Sequence, residues 1–325
     1  MSHHYIKGKE HINMVSKALI RKSLLMRMWE KYPKVWKFLI DTGIFLKYKT
    51  LNIHKLPNFI KLPSSNILYI NPSENRGRAL LIKEGVTQER LTEFWRKAVE
   101  LYEPSLVIDV GVNYGECLFS ANYHFETKVY GIEANQYLLE YIVKSREEHP
   151  NKSQIHIVHA FASDQEKEDQ LFYIDTHWSG TSSASYMPSH NMIEESIVPT
   201  ITIDSLFEKE SLQSHHLLFK VDVEGFEAFV LKGMETLFQN CRTGVGFIEY
   251  DSRYIENSGV EIDEFLTFLQ RYFIIYVYDL NDRLIKMPIV SYGNLKELFK
   301  SDYVHTDFLL MSDESMERQL NLEVY

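Results

Sequence analysis

Residues 106–116, Leu-Val-Ile-Asp-Val-Gly-Val-Asn-Tyr-Gly-Glu, set the tightest limit on what this chain can fold into. Leu106 to Val110 is a largely β-branched run broken only by Asp109, the pattern of a strand covered on both faces. Gly111 and Gly115 then permit a tight turn with close backbone approach to a ligand, and Glu116 to Asn122 can open a helix. A dinucleotide fingerprint, G-x-G-x-x-G, would place glycines where Asn113 and Glu116 stand, so that match is poor. The charge is also wrong for phosphate. Two unit charges about 4 Å apart interact by about 4 kcal/mol at an effective dielectric near 20. Asp109 would repel a pyrophosphate and attract a ligand bearing ammonium and sulfonium groups. S-adenosylmethionine is such a ligand, and a glycine turn that merely links strand to helix is the competing reading of this segment taken alone.

From Leu106 onward the pattern alternates strand and helix, as an α/β sheet with crossover connections requires. Strands are expected near 106–110, 129–133, 155–159, 216–222, 244–250, 273–278 and 306–311. Helices are expected over 115–123, 136–148, 224–238 and 260–270. Leu171 to Ile174 and Val198 to Ile203 interrupt this rhythm with strand-like runs around the Ser-rich loop 179–185. Upstream, a helical region over 10–48 leads through a Pro- and Asn-containing connector, 51–65, to two short strands at 67–70 and 79–82. Thr87 is expected to cap a helix ending at Tyr102, with Leu91, Trp95, Ala98 and Tyr102 on one face. The chain after Asp313 reads as a loosely held tail.

With 325 residues, 45% hydrophobic and 25% charged, the chain has the composition of a soluble globular protein with room for one large domain and an accessory region. Cys117 and Cys241 are too few for a disulfide framework or a thiolate metal site, and no run approaches the roughly 20 apolar residues of a membrane span. Met1 to Glu10 lacks the apolar core of a signal peptide, so cytoplasmic residence is expected, with the inner membrane surface left open.

The net charge of −10 conceals a strong asymmetry. Residues 1–60 hold 12 Lys or Arg against 3 acids, leaving 23 against 42 for residues 61–325. Ile12, Val15, Leu19, Leu24, Leu25 and Met28 recur at helical spacing among Lys17, Arg21, Lys22 and Arg27, while Trp29, Trp36 and Phe38 suit a membrane interface. Such an arm either packs on, or dimerises across, the acidic main domain, or it contacts a membrane or lipid-linked surface. Nucleic acid is disfavoured as a partner by the acidic remainder of the chain.

Five later segments carry candidate chemistry. Val129 to Glu133 ends in an acid 22 residues after Gly111, near the spacing at which a carboxylate meets ribose hydroxyls. After the third strand, Phe161 could pack on an adenine ring and Asp164 accept from its amino group, although Phe161 fits a core position equally well. The run Phe219-Lys220-Val221-Asp222-Val223-Glu224-Gly225-Phe226-Glu227 delivers Asp222 and Glu224 to the carboxyl edge of the sheet, where ligands of open α/β sheets bind. Glu227 suits a helix start on dipole grounds alone. Glu249 and Asp251 form an acidic rim that could hold a metal, orient a hydroxyl or accept its proton, and no His or Cys spacing supports zinc. His177, beside Trp178 in a Gly- and Ser-containing loop, is a further candidate base, though a loop histidine is more often a surface residue.

The runs VIDVGVNYGE and LLFKVDVEGFEAFVLKGMETL, with YGIEAN between them and VPTITIDSL before the second, resemble the FkbM-type family of S-adenosylmethionine-dependent methyltransferases over residues 105–311. The resemblance implies a class I, Rossmann-like sheet of seven strands in the order 3-2-1-4-5-7-6 with the seventh antiparallel; residues 1–85 fall outside it and read, from charge and apolar spacing alone, as an N-terminal mainly helical extension. The chain is expected to divide into a basic accessory region, 1–85, a methyltransferase domain, 86–312, and a tail, 313–325. By position, Asp109, Gly111, Asn113, Gly115, Glu133, Ala134 and Asn135 would bind the cofactor, with Glu116 beside them, and Asp222 would face the methyl-transfer site. Family members are mostly O-methyltransferases of sugars and of glycosylated or polyketide products. The expected activity is therefore methylation of a hydroxyl on a sugar, glycan or glycosylated natural product, with Asp222, Glu249 and His177 as candidate catalytic groups. A non-catalytic adenosine-binding or scaffold module on the same fold is the rival reading, and a nicotinamide dehydrogenase would need the missing glycines.

Overall fold

The computed structural model describes residues 32–176, 178–182 and 193–325. The chain enters through helix α1 (Pro33–Tyr48), a hairpin of β1 (Phe59–Lys61) and β2 (Ile67–Tyr69), and helices α2 (Asn75–Ile82) and α3 (Glu89–Tyr102). Then come β3 (Leu106–Val110), β4 (Lys128–Glu133), α4 (Gln136–Glu147) and β5 (Ile155–His159). A second, small sheet is made by β6 (Phe161–Ala162), β7 (Lys167–Asp175) and β8 (Ile193–Ile201) in the order β6-β8-β7. The chain continues as β9 (His216–Val221), α5 (Glu227–Lys232), α6 (Glu235–Asn240), β10 (Thr243–Asp251), α7 (Ser252–Asn257) and α8 (Ile262–Gln270). It closes with β11 (Ile274–Tyr278), β12 (Leu284–Met287), α9 (Tyr292–Phe299), β13 (His305–Met311) and α10 (Ser315–Gln319).

The main sheet runs β12-β11-β13-β10-β9-β3-β4-β5. Strands β5, β4, β3, β9 and β10 are mutually parallel, and β13 runs against both β10 and β11. All five residues of β3 are buried, as its apolar run requires. Period-two alternation splits the interior into two layers. Val107, Val129, Leu218, Val245, Phe247 and Leu309 face the layer that contains α1 to α3, whereas Leu106, Ile108, Phe219, Ile248, Phe308 and Leu310 face α5, α8 and α9. Helix α3 buries Leu91, Phe94, Trp95, Ala98 and Tyr102 on one side, and the Trp95 Nε1 donates to Tyr123 Oη at 3.2 Å.

Several expectations are corrected. The sheet has eight strands among the described residues, because β12 adds an edge paired with Ile275–Tyr278. Residues 79–82 lie in α2, whose first turn is capped by the Glu74 carboxylate accepting from Arg76 N and Gly77 N. Thr87 does not cap α3; its hydroxyl donates to Glu116 and the helix starts two residues later. Residues 113–120 form successive turns rather than a helix, since Asn113 and Gly115 take positive φ values of 52° and 88°. The single helix expected over 224–238 is two helices, separated where a Cβ on Gly233 would stand 2.1 Å from the Ser163 carbonyl oxygen. After Asp313 the chain is not loose: Met316 of α10 and Leu320 just after it are buried, and Tyr325 N donates to Leu284 O.

Residues 33–82 share the first hydrophobic layer with the sheet. Ile40 and Ile44 of α1 point inward, Arg78 pairs with Asp41, and Lys47 donates to the carbonyls of Leu81 and Ile82. No helix of the described residues is long and apolar enough to cross a membrane.

Candidate active site

A cavity opens at the carboxyl edge of the parallel strands, where β3, β4 and β9 end. Its floor is the turn after β3. Gly111 has φ of 77°, and a Cβ there would lie 1.9 Å from the carbonyl oxygen of Asp222, so only glycine lets the two strand ends come this close. The carboxylate of Glu133, at the end of β4, accepts from Asn113 N at 2.7 Å and from Asn135 N at 2.8 Å. It thereby stitches two turns together while still bordering the cavity. Burial pushes this carboxyl up, and the two backbone donors pull it back toward its charged form.

Asp109 lies one layer deeper. It is fully buried, does not line the cavity, and faces Lys220, whose Nζ stands 3.1 Å from Asp109 Oδ1 and 2.8 Å from Gly111 O. Burial pushes the Asp109 carboxyl up, the ammonium opposes that push, and Oδ2 has no hydrogen-bond partner. Burial works against the Lys220 charge, but Asp109 and Asp222 together outweigh it and hold the ammonium protonated. The Asp109 charge is thus matched inside the protein, and the acids that border the cavity are Glu116, Glu133, Asp222, Glu224 and Glu249.

At the far end, Asp222, Glu224 and Glu249 each bring a carboxylate oxygen within 4.8 Å of the others. Glu224 has a φ of 52°, and Gly225 follows at 99°. Glu249 is pushed well above the usual carboxylate range by burial and then by the charges of Asp222, Glu224, Glu227 and Asp307. Asp222 is opposed by burial, yet the Lys220 ammonium and hydrogen bonds from Gln88 and Glu249 hold it below that range. The pair is accordingly pushed in opposite directions, Asp222 toward its charged form and Glu249 toward its protonated form. Gln88 Nε2 donates to Asp222 Oδ2 at 3.2 Å.

The other end is apolar. Ile132, Ala160, Phe161, Ala162 and Phe172 line it, and Phe161 packs edge-to-face on Phe226 with ring centroids 4.9 Å apart. Asp164 is outside this lining and accepts from Ser163 Oγ. Asn135 spends its side chain capping α4 through Tyr137 N. Ala134, Asn113 and Glu116 border the cavity and Gly115 does not. Glu116 takes Thr87 N at 2.5 Å, Gln88 N at 2.7 Å and Arg76 Nη2 at 3.0 Å, so its carboxylate fixes the wall rather than the contents. His177 lies outside the described residues.

The third wall comes from upstream of β3, and composition gave no hint of it. Arg76, Leu80 and Gln88 line the cavity, together with Trp178 and Ser179. The Glu74 carboxylate joins these pieces: it accepts from Ser179 N at 2.9 Å and from Tyr114 Oη at 3.0 Å while capping α2. Trp178 sits edge-on to Trp36 of α1 and under the Arg76 guanidinium. The only available signal was the Glu-x-Arg-Gly run before α2, an N-terminal capping pattern. Lys220 stood in the quoted run but carried no role, and His305, beside Glu249 and Asp251, had no motif around it.

The donor set suits an adenosine bearing a positive chain. An apolar slot fits a base, Glu133 has lone pairs remaining for a diol, and the Gly111 cradle, which a Cβ would fill, leads to the charged Asp222.

Residues 109–274 match the family model described as the methyltransferase FkbM domain. Among solved structures, methyltransferase FkbM from Methylobacillus flagellatus KT is 13% identical, with 64% of this chain and 44% of that chain covered and a TM-score of 0.38. This chain therefore spans less than half the length of that protein. Precorrin-6y C5,15-methyltransferase from Geobacter metallireducens GS-15 is 10% identical over 71% of this chain and 91% of that one, with a TM-score of 0.36. The O-methyltransferase from Bacillus cereus, in complex with SAH, is 8% identical over 69% and 81%, with a TM-score of 0.37. No curated protein matches the chain.

Proposed function

Because the chain belongs to the FkbM methyltransferase family and has a methyltransferase-like α/β fold with a mainly parallel central sheet, we propose that its cavity binds S-adenosylmethionine for O-methylation of a sugar, a glycan or a glycosylated natural product. The observation that carries this reading is the division of labour along one cavity. An apolar slot at Phe161 of β6, a carboxylate at Glu133 of β4, and Asp222, held toward its charged form, beside Glu249, pushed toward its protonated form, line this one cavity.

When bound, the cofactor supplies an electrophilic methyl on a sulfonium. The chain does the rest. Phe161, Ala162 and Phe172 would desolvate and hold the base, Glu133 would accept from the ribose hydroxyls, and Asp222 would offer negative charge to the cationic end. Glu249, pushed toward its protonated form, would donate to the acceptor or to Asp222 and so orient the incoming hydroxyl. Positioning and exclusion of water account for much of the rate in such an in-line displacement.

Calorimetry tests the first half: S-adenosylmethionine and S-adenosylhomocysteine bind and NAD does not. Methyl release with a panel of sugars and glycosides tests the second. A folded protein that binds neither adenosyl compound sinks the reading, and one that binds without transferring methyl to any acceptor is the scaffold instead.

The acceptor reading extends to the membrane surface because of α1. Its inner face is buried, yet Val35, Phe38, Leu39, Phe45 and Leu46 form an exposed apolar stripe at positions i, i+3, i+4, i+10 and i+11, with Lys34 and Lys49 exposed nearby. Together with the excess of 12 basic over 3 acidic residues in 1–60, this face suits an anionic lipid surface presenting a lipid-linked acceptor.

A further inference from the structure

We propose that His305 is the base that takes the acceptor's proton during methyl transfer, held in its working tautomer by Asp251. The inference rests on the methyltransferase reading and adds the residue that reading lacks.

Reversal of one strand brings the imidazole to the site. β13 runs antiparallel to β10, so His305, the first residue of β13, pairs with Asp251, the last residue of β10, at the carboxyl edge where the cavity opens. His305 Nδ1 lies 3.2 Å from Asp251 Oδ2, and Nε2 lies 3.6 Å from Glu249 Oε1. Asp251 is built as an anchor. It is 4% exposed, its Oδ1 accepts from Arg253 N at 2.9 Å and Tyr254 N at 3.2 Å, and its Oδ2 also accepts from Tyr303 Oη. Burial opposes its charge, but hydrogen bonds from His305 and Tyr303 hold it below the usual carboxylate range. An anionic Asp251 accepts from Nδ1–H, which leaves the lone pair on Nε2 facing Glu249.

The acids around it cannot serve as well. Burial and then its acidic neighbours push Glu249 toward its protonated form, and Asp222, though opposed by burial, is held toward its anion by Lys220, Gln88 and Glu249, which makes it a weak base. Access is also in place. His305 lines a second, open groove with Tyr278, Tyr303 and Asp307, and Gln88 borders both that groove and the cofactor cavity. An acceptor lying in this groove reaches the cavity at Gln88 and Glu249, next to Nε2. As its oxygen bonds the methyl carbon, the carbon–sulfur electron pair stays with sulfur and gives a neutral thioether. The hydroxyl proton passes to Nε2, and the imidazolium rests against Asp251. It releases the proton to solvent through the groove. The charged and titratable groups facing His305 are Glu249 and Asp251 of β10, Arg253 of α7, Tyr303 before β13, and Asp307 of β13 with its partner Arg90 of α3.

The test compares wild type, His305→Gln and Asp251→Asn, using S-adenosylmethionine and whichever sugar acceptor the wild type methylates. His305→Gln should lower kcat by about 10²- to 10⁴-fold while S-adenosylmethionine affinity stays within about threefold. The acid limb of the wild-type pH profile should vanish with it. Asp251→Asn, a positioning change, should keep a limb but move it to lower pH at a reduced plateau, because the imidazolium loses its anion. Nitrogen-15 spectra of the resting wild type should show His305 protonated at Nδ1. A His305→Gln enzyme within threefold of wild-type kcat, or a neutral Nε2–H tautomer in wild type, overturns the proposal alone. A wild type that binds the cofactor yet methylates nothing sinks the parent reading and this proposal together.

Discussion

A single buried ammonium, Lys220 Nζ, stands 3.1 Å from Asp109 on β3 and 3.7 Å from Asp222, the residue just past the end of its own strand. It answers one carboxylate that never meets the cavity and one that borders it, so the site's charge is set from beneath. Lys220→Met should cost about 3–5 kcal/mol, the range for stranding one partner of a buried pair. Adding Asp109→Asn should recover at least half of that loss. Urea unfolding of the three proteins measures it, and a single mutant as stable as wild type would show that the pair is not a determinant.

Glu116 offers one carboxylate to Thr87 N, Gln88 N and Arg76. Glu116→Ala should destabilise the chain by about 2–3 kcal/mol, as expected for charge-assisted bonds left unmade. Because Gln88 would lose its anchor beside Asp222, adenosyl-ligand affinity should fall as well. Calorimetry at matched folded fractions separates the effects; intact affinity would show that the wall does not shape the site.

Burial pushes Glu227 up to about 7, although Val223 N and Gly225 N donate to its carboxylate. Its folded-state value exceeds the ordinary 4.5, so the folded state holds this proton more tightly. The resulting stability is fully present below about pH 4.5 and is lost as pH rises through about 7, at most about 3 kcal/mol. Glu227→Gln keeps the oxygen acceptor and removes the titration. Relative to wild type it should gain in thermal midpoint between pH 5 and pH 8, and parallel midpoints across that window would refute the assignment.

Phe38 and Leu46 are the most exposed large apolar side chains of α1, at 67% and 62%. Phe38→Asp with Leu46→Asp should abolish sedimentation with vesicles containing phosphatidylserine, leaving adenosyl-ligand binding unchanged. Sedimentation unaffected by the double change, or equal with neutral vesicles, removes the membrane proposal. Loss of a dimer in analytical ultracentrifugation instead would assign the stripe to a second copy.

The parallel core was legible because β3, β4, β5 and β9 have apolar runs that can be read without context, and Gly111, just past β3, and Glu133, the last residue of β4, sit at fixed offsets along them. Asp222 and Glu249 were legible for the same reason, as strand-end acids. What escaped depended on partners distant in sequence. Glu74 gains meaning only through Ser179, 105 residues away, and His305 only through the antiparallel register that sets it opposite Asp251. The expected helix after β3 failed because Asn113 and Gly115 adopt left-handed backbone that no periodicity records. Asp109 was found for a sound reason and given the wrong neighbour, since charge complementarity in a sequence does not say whether a ligand or a lysine supplies the complement.

The Glu74 clasp has a consequence for heredity as well as for shape. The stretch that matches the family begins at Asp109, yet Arg76, Leu80 and Gln88 line the same cavity and Glu74 ties Ser179 to Tyr114. The frontier of resemblance therefore passes through the middle of the cavity. A chimera that transplanted residues 109–274 behind another leader would inherit the floor without the wall, so changes on the two sides of that frontier must be selected together.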